Sequence, residues 1–263
     1  MKHLIEAKHL WREYGSNIVL ENISIGVAEG EFITIVGASG CGKTTFLKML
    51  LGVDKPTRGA LLLDGVPIPD EPGPDRGIVF QKYSVFPHLD VLQNVVIGLE
   101  FAQAPLLGSL FGSKKQTAVQ QAKDVLDAVG LSHALRKFPS ELSGGMQQRL
   151  AIAQSLIKKP RILLLDEPFG ALDPGIRKDM HQLILSLWRE TGVTIFMITH
   201  DLEEGFYLGT RLWVFDKYRH DPHDPNRFGA KITYDIPVGR CEEEVLADIV
   251  ANTELAPVAQ LES

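Results

Sequence analysis

Residues 37–44 read Gly37-Ala38-Ser39-Gly40-Cys41-Gly42-Lys43-Thr44, with Thr45 following. The glycine spacing and the terminal Lys-Thr are those of a loop that wraps phosphate. Glycines let backbone N–H groups curl around phosphate oxygens where a Cβ would intrude. A helix beginning at the lysine adds partial positive charge. Lys43 is placed to reach the outer phosphates, and the Thr44 hydroxyl to ligate Mg²⁺. A magnesium-bound polyphosphate also needs carboxylates. "ILLLDEP" supplies Asp166 and Glu167 at the end of a wholly apolar run. Neighbouring side chains on a strand point to opposite faces, so the two acids can divide the work. Asp166 is assigned to Mg²⁺, through water, and Glu167 to the attacking water as general base.

A second anion-binding element follows the first by about a hundred residues. In "ELSGGMQQRLAIAQSL", Ser143-Gly144-Gly145 reads as an N-cap with exposed N–H groups at a helix start. One phosphate loop already serves one face of a nucleotide. A second cradle therefore points to another copy of the chain, closing over its neighbour's phosphates in a two-fold pair.

The elements that must position these groups follow from the pattern. "HLIEAKHLW" and "IVLENISIGV" read as strands, and "EFITIVG" as a short buried parallel strand leading into the loop. "CGKTTFLKMLLG" is a helix. "RGALLLDG" and "DRGIVFQ" are strands separated by a Pro/Gly/Asp-rich loop at 66–74. From 89 to 130 the period is helical, with a loop near 105–113; Val119, Ala122, Val125, Leu126 and Val129 share helical spacing. Strands and helices then alternate to "RLWVFD", which implies a parallel sheet with crossovers. A turn-rich loop, "KYRHDPHDPNRFG", precedes a hairpin strand, "AKITYDIP", and 241–254 reads as a short amphipathic helix.

Bulk composition is that of a globular chain: 263 residues, 44% hydrophobic, 23% charged. The net charge of −6 argues against a nucleic-acid coat, which needs clustered Lys and Arg. The two cysteines, Cys41 inside the glycine loop and Cys241, suggest a reducing compartment rather than a disulfide scaffold. No apolar run reaches the ~18 residues of a membrane span. The stretch 91–112 is interrupted by Gln93, Asn94, Glu100, Gln103 and Pro105. His220 and His223 lie among acids in a proline-stiffened turn, better read as solvated than as metal ligands.

"LSGGMQQ", with the other motifs in order over residues 4–214, resembles the ATPase subunits of ABC transporters. The resemblance implies an α/β P-loop fold with a mainly parallel sheet, an N-terminal antiparallel β subdomain and an inserted helical subdomain. It implies an ATPase domain over 1–240, with a RecA-like core at 1–81 and 156–216. The helical subdomain would span about 82–155 and a β-hairpin extension about 211–240, leaving 241–263 as C-terminal helix and tail. The substrate is ATP with Mg²⁺. Gln81 is similar to the Q-loop glutamine that senses Mg²⁺ and water, Asp173 to the D-loop aspartate at the dimer seam, and His200 to the switch histidine on the γ-phosphate. Tyr14 resembles the aromatic that stacks on adenine, with Trp11 as a weaker alternative. Ser143, Gly144, Gly145 and Gln147 correspond to the signature that closes the site in trans.

One set of motifs on one chain implies a second copy, or a paralogous cassette, and separate integral membrane permease subunits. A solute-binding protein would take part indirectly, and nucleic acid would not. The apolar segment after Gln81, with Tyr83, Val85, Phe86 and His88, matches the region that receives the permease. The cassette would then sit peripherally on the cytoplasmic face of a bacterial inner membrane. "PGPDRGIVFQ" and "THDLEEGFYLGTRLWVF" are most similar to the nitrate/sulfonate/taurine importer branch. That branch often has tryptophan where His88 stands and arginines where Gln147 and Gln154 stand, and its loop at 220–224 is shorter. The competing classes are an importer ATPase for a different solute, a soluble non-transport ABC ATPase and a P-loop kinase. The last gives no reason for "LSGGMQQ".

Overall fold

The computed structural model of the chain describes residues 3–81, 84–103, 110–219, 221, 223, 224 and 226–238. In chain order the first elements are β1 (Ile5–Tyr14), β2 (Asn17–Val27), β3 (Phe32–Gly37), α1 (Lys43–Leu51), β4 (Arg58–Leu63), β5 (Val66–Pro67) and β6 (Arg76–Val79). Next come α2 (Val91–Gln103), α3 (Gly112–Ala128) and α4 (Gly144–Leu156), with 3-10 turns at Ser132–Ala134 and Pro139–Glu141 between α3 and α4. The rest is β7 (Ile162–Asp166), α5 (Pro174–Thr191), β8 (Thr194–Ile198), α6 (Leu202–Leu208), β9 (Arg211–Asp216) and β10 (Lys231–Pro237). This is an α/β chain whose longer sheet is mostly parallel, with a separate antiparallel sheet. Tyr83, His220, Cys241 and the helix expected at 241–254 lie outside the described residues.

Two compact units divide at Pro74 and Thr194. The first comprises residues 1–73 and 194–263. Its antiparallel sheet runs β2-β1-β4-β5. The two-residue β5, inside what reads as a loop, forms because Leu62 and Leu63 pair with Pro67 and Val66. Its other strands run β10-β9-β3-β8, with β3 parallel to both neighbours and β10 antiparallel to β9. β3 is buried along its whole length, which is why its six residues are almost all apolar. The one polar exception, Thr34, donates its hydroxyl to Gly205 O at 2.9 Å and so satisfies its burial. Phe46 of α1 meets Trp213 and Phe215 of β9, with ring centroids 6.0 and 5.6 Å apart. Burying a ring of this size contributes roughly 2–3 kcal/mol, and here it fixes the helix that follows the glycine loop.

The second unit comprises residues 74–193. β6 and β7 pair in parallel from Arg76↔Ile162 to Val79↔Leu165. α4 packs on β6, α2, α3 and α5. α3 turns Ala118, Ala122 and Leu126 inward. Of the stripe expected from the sequence, Ala122 and Leu126 are buried on α3 and Val129 just past its end, while Val119 and Val125 are half-buried. α5 starts with Pro174 after an Asp173 cap and ends at Gly192, whose φ of 66° suits a C-terminal glycine.

Candidate functional site

In the first unit the glycine loop joins β3 to α1. Gly37 has φ 151°, and a Cβ there would lie 2.2 Å from the carbonyl oxygen of Phe215, so only glycine fits beside β9. Gly42 caps α1 with φ 96°. Lys43 is only 5% exposed; its ammonium donates to Gly37 O at 2.7 Å and Ala38 O at 2.9 Å. Its charge is thus held by the carbonyls of its own loop. Cys41 is buried against the same loop. Burial lifts its thiol above the ordinary cysteine range and Lys43 opposes this only in part. The small Cys41 side chain fills the space against Gly37, where an added Cβ would lie 3.1 Å from its sulfur. Thr44 and Thr45 stand in the first turn of α1.

Two further candidates belong to this unit. His200 is exposed immediately after the buried strand β8. Its neighbours are braced: Asp201 accepts from the Glu204 N–H at 3.1 Å, and its own N–H donates to the Thr199 hydroxyl at 3.1 Å. Thr199 in turn donates to the buried Glu204 carboxylate. Tyr14 ends β1 and is 46% exposed. The Arg12 guanidinium lies 4.2 Å from its ring centroid, and its hydroxyl donates to Asp54. Trp11 carries the Arg58 guanidinium 4.0 Å from its ring.

In the second unit Asp166 closes β7 and Glu167 follows it. Glu167 adopts φ 49°, a left-handed conformation that non-glycine residues avoid. Gln81, just past β6, donates its amide N–H to Glu167 Oε2 at 3.2 Å. The Q-loop candidate and the candidate base, 86 residues apart, are thereby brought together.

Ser143 caps α4 as the sequence implies: its φ/ψ is −66°/162° and its hydroxyl accepts from the Met146 N–H at 3.4 Å. Ser143 and Gly144 are exposed. A Cβ on Gly145 would lie 2.6 Å from Ile176 Cγ2, so close packing on α5 demands glycine there. Gln147 donates to the Pro139 and Leu142 carbonyls, at 2.8 and 3.4 Å, and braces the segment entering the cap. Asp173 is exposed at the start of α5.

Residues 20–170 match the family model described as ABC transporter. The chain belongs to the ABC transporter family. This cassette is 44% identical over 200 residues to the nitrate import ATP-binding protein NrtD of Synechocystis, covering 76% of this chain and 71% of that one. It is 42% identical over 209 residues to the taurine import ATP-binding protein TauB of Yersinia pestis, covering 80% and 78%. Over 222 residues it is 39% identical to the spermidine/putrescine import ATP-binding protein PotA of Bacillus thuringiensis, covering 82% of this chain but 64% of that one. A dimeric bacterial ABC transporter cassette has the same fold, with a TM-score of 0.72 at 29% identity over 89% of this chain and 98% of that one. The cassette is an ATPase.

Several residues that shape this cassette's site escaped sequence reasoning. Asn94 is 1% exposed and its amide donates to the carbonyls of Phe86, Leu89 and Asp90, at 3.0, 2.8 and 3.0 Å. It accepts from the Phe86 N–H at 2.8 Å and from Gln154 at 3.0 Å. The segment that carries Phe86 and His88, whose rings sit 6.1 Å apart, is therefore tied through Asn94 and Gln154 to α4. Gln154 is noticeable in the sequence only as a departure from arginine; its amide length suits this bond. Among the described residues no cluster of three His, Cys, Asp or Glu side chains could hold a metal ion. The His223 backbone N–H donates to Asp221, which is ion-paired with Arg227.

Proposed function

We propose that this cassette is the ATP-hydrolysing subunit of an importer for a small anionic or nitrogen/sulfur-containing solute of the nitrate, sulfonate or taurine type, acting through separate membrane subunits. The hydrolytic part rests above all on the Gln81–Glu167 hydrogen bond, which orients the carboxylate of the candidate base. The solute class rests on the likeness to nitrate and taurine import proteins. The likeness to a spermidine/putrescine import protein supports a second reading, in which the solute is a different small molecule.

Residues 1–240 act as the ATPase domain, with a helical subdomain near 82–155. Lys43 and the loop N–H groups of Gly37, Ala38, Ser39, Gly40, Cys41 and Gly42 neutralise phosphate charge. Thr45 adds a hydroxyl beside them, and Tyr14 offers its ring to adenine. The Thr44 hydroxyl, Gln81 amide oxygen and Asp166 carboxylate are hard oxygen donors, a set that fits Mg²⁺. When bound, that ion would neutralise charge on the β- and γ-phosphates. Glu167 accepts a proton from the attacking water as its oxygen bonds to the γ-phosphorus. The bond from that phosphorus to the leaving oxygen of ADP breaks, giving ADP and phosphate. His200 donates to the charge that develops on the γ-phosphoryl oxygens. Ser143, Gly144 and Gly145 of a second copy close the site with their N–H groups, while Gln147 stiffens that element. Asp173 lies at the seam.

Among the described residues no helix is long and apolar enough to cross a membrane. The cassette would bind a permease through the Phe86–His88 segment, peripherally at the cytoplasmic face of the inner membrane, and a solute-binding protein would deliver the cargo. Glu167→Gln should bind ATP, turn over at least a hundredfold more slowly (about the lower bound for losing a general base) and elute as an ATP-held dimer. Near-native turnover would remove Glu167 from its role. Co-purification with a membrane subunit only in detergent supports the transport reading; a soluble complex without one refutes it.

A further inference from the structure

Tyr14 is not simply an exposed ring at a strand end. Asp54 receives an unusual concentration of donors from the residues around it. Arg12 Nη2 lies 2.6 Å from its Oδ1 and Arg12 Nε 3.1 Å from its Oδ2, a two-point pairing. The Lys55 N–H donates to Oδ1 at 2.9 Å, and the Tyr14 hydroxyl donates to Oδ2. The Arg12 and Asp54 side chains are only 19% and 12% exposed, so solvent competes weakly for these bonds. The same Arg12 guanidinium stands 4.2 Å from the Tyr14 centroid. One carboxylate thus fixes the ring twice, through its hydroxyl and through the cation on one of its faces.

We infer that Asp54 is the positioning residue for the base-binding ring: with Arg12 it locks Tyr14 in a single tilt, covers one face, and leaves the other for a purine. The inference rests on the reading of Tyr14 as adenine platform. Two physical points carry it. A ring held before binding loses little rotamer freedom when a base stacks on it. A guanidinium against one face is attracted to the ring's negative quadrupole and withdraws charge from it, which favours a purine stacking on the opposite side. Asp54 also follows α1 by three residues, and α1 begins at Lys43 in the phosphate loop. A single helix therefore connects the phosphate end of the site to the anchor of its base end.

The test compares dissociation constants of the full chain for ATP and for inorganic tripolyphosphate, which has no base. Tyr14→Ala should weaken ATP by about tenfold, the scale of one base–aromatic stack, and leave tripolyphosphate unchanged. Asp54→Ala should weaken ATP by about three- to fivefold, a part of that stack, again without touching tripolyphosphate. In the Tyr14→Ala background it should add nothing. Asp54→Asn, which keeps the volume and one acceptor, and Tyr14→Phe, which keeps the ring but not the tether, should both fall between wild type and Asp54→Ala. An unchanged ATP affinity in Asp54→Ala alongside a weakened Tyr14→Ala overturns the positioning role alone. Equal weakening toward tripolyphosphate overturns it too, because that is damage to α1 rather than to the ring. An unchanged Tyr14→Ala overturns the platform reading and the inference with it.

Discussion

Glu167 combines two properties that substitution can separate. Its carboxylate is the candidate base, and its backbone sits at φ 49°. For a residue with a Cβ that conformation costs roughly 1–2 kcal/mol, a strain of the kind that collects at active sites. Glu167→Gly and Glu167→Ala both delete the carboxylate and the bond from Gln81, so they differ only in the Cβ. The glycine variant escapes the strain but gains about 0.4–1 kcal/mol of unfolded-state freedom. The difference leaves Glu167→Gly more stable than Glu167→Ala by about 0.8 kcal/mol at the midpoint of these ranges and by at most about 1.6 kcal/mol. In a chain of this size the midpoint value is a gap of about 2–4 °C or less in Tm, and a resolvable difference in urea midpoint at equal slope. Both variants should lose ATP turnover by at least a hundredfold, as general bases do. Urea titrations read the first quantity and phosphate release the second. An alanine variant as stable as the glycine variant would refute the strain argument. Substantial turnover in either would refute the assignment of the base.

Other expectations concern the supports of the site. Asn94→Ala removes a buried amide and leaves the carbonyls of Phe86, Leu89 and Asp90 without it. The Phe86 and Asp90 carbonyls keep backbone donors from the N–H groups of Leu89 and residue 94, but the Leu89 carbonyl loses its donor and the Phe86 N–H its acceptor. This should destabilise the protein by about 1–3 kcal/mol in urea titration and speed amide exchange across 86–90; unchanged exchange there would contradict the tether. Ser143→Arg should leave ATP binding by the monomer intact while abolishing hydrolysis, measured by equilibrium titration and phosphate release. Loss of monomer binding would place that element in the cis site. Glu21 supplies a pH test. Burial pushes its carboxyl up, but the Arg219 guanidinium, the Gly229 N–H and the Lys231 ammonium outweigh this and hold it below the ordinary glutamate range. A depressed pKa contributes stability that is present above the unfolded value, near 4.3, and is lost as pH falls through the folded value. Stability should therefore decline below about pH 4.5 more steeply in the native protein than in Glu21→Gln; parallel curves would show that the carboxylate contributes nothing.

What the sequence discloses and what it hides differ in physical kind. The phosphate loop is legible because its glycines, lysine and threonine act through consecutive backbone atoms, so spacing alone carries the geometry. Strand β3 is legible because burial on both faces forces an apolar run, and the cap at Ser143 because capping is local. The Gln81–Glu167 bond joins residues 86 apart, and the Arg12–Asp54 pair residues 42 apart; no local pattern encodes such partners. Asn94 reads as one polar interruption in an apolar helix, and only the carbonyls around it reveal that it organises the loop before that helix. β5 was hidden for a related reason: two residues become a strand only by pairing with β4.

In the proposed mechanism each bound ATP is completed by Ser143–Gly145 of another copy. Mixing two inactive variants, Ser143→Arg and Glu167→Gln, tests it most directly. In a mixed pair one site would combine an intact Glu167 with an intact signature from the other chain. Random pairing makes half the pairs mixed with one sound site each, so about a quarter of native ATPase activity should return. If the mixture stays as inactive as its components while the two variants demonstrably pair, the second cradle does not act across copies and the account is wrong.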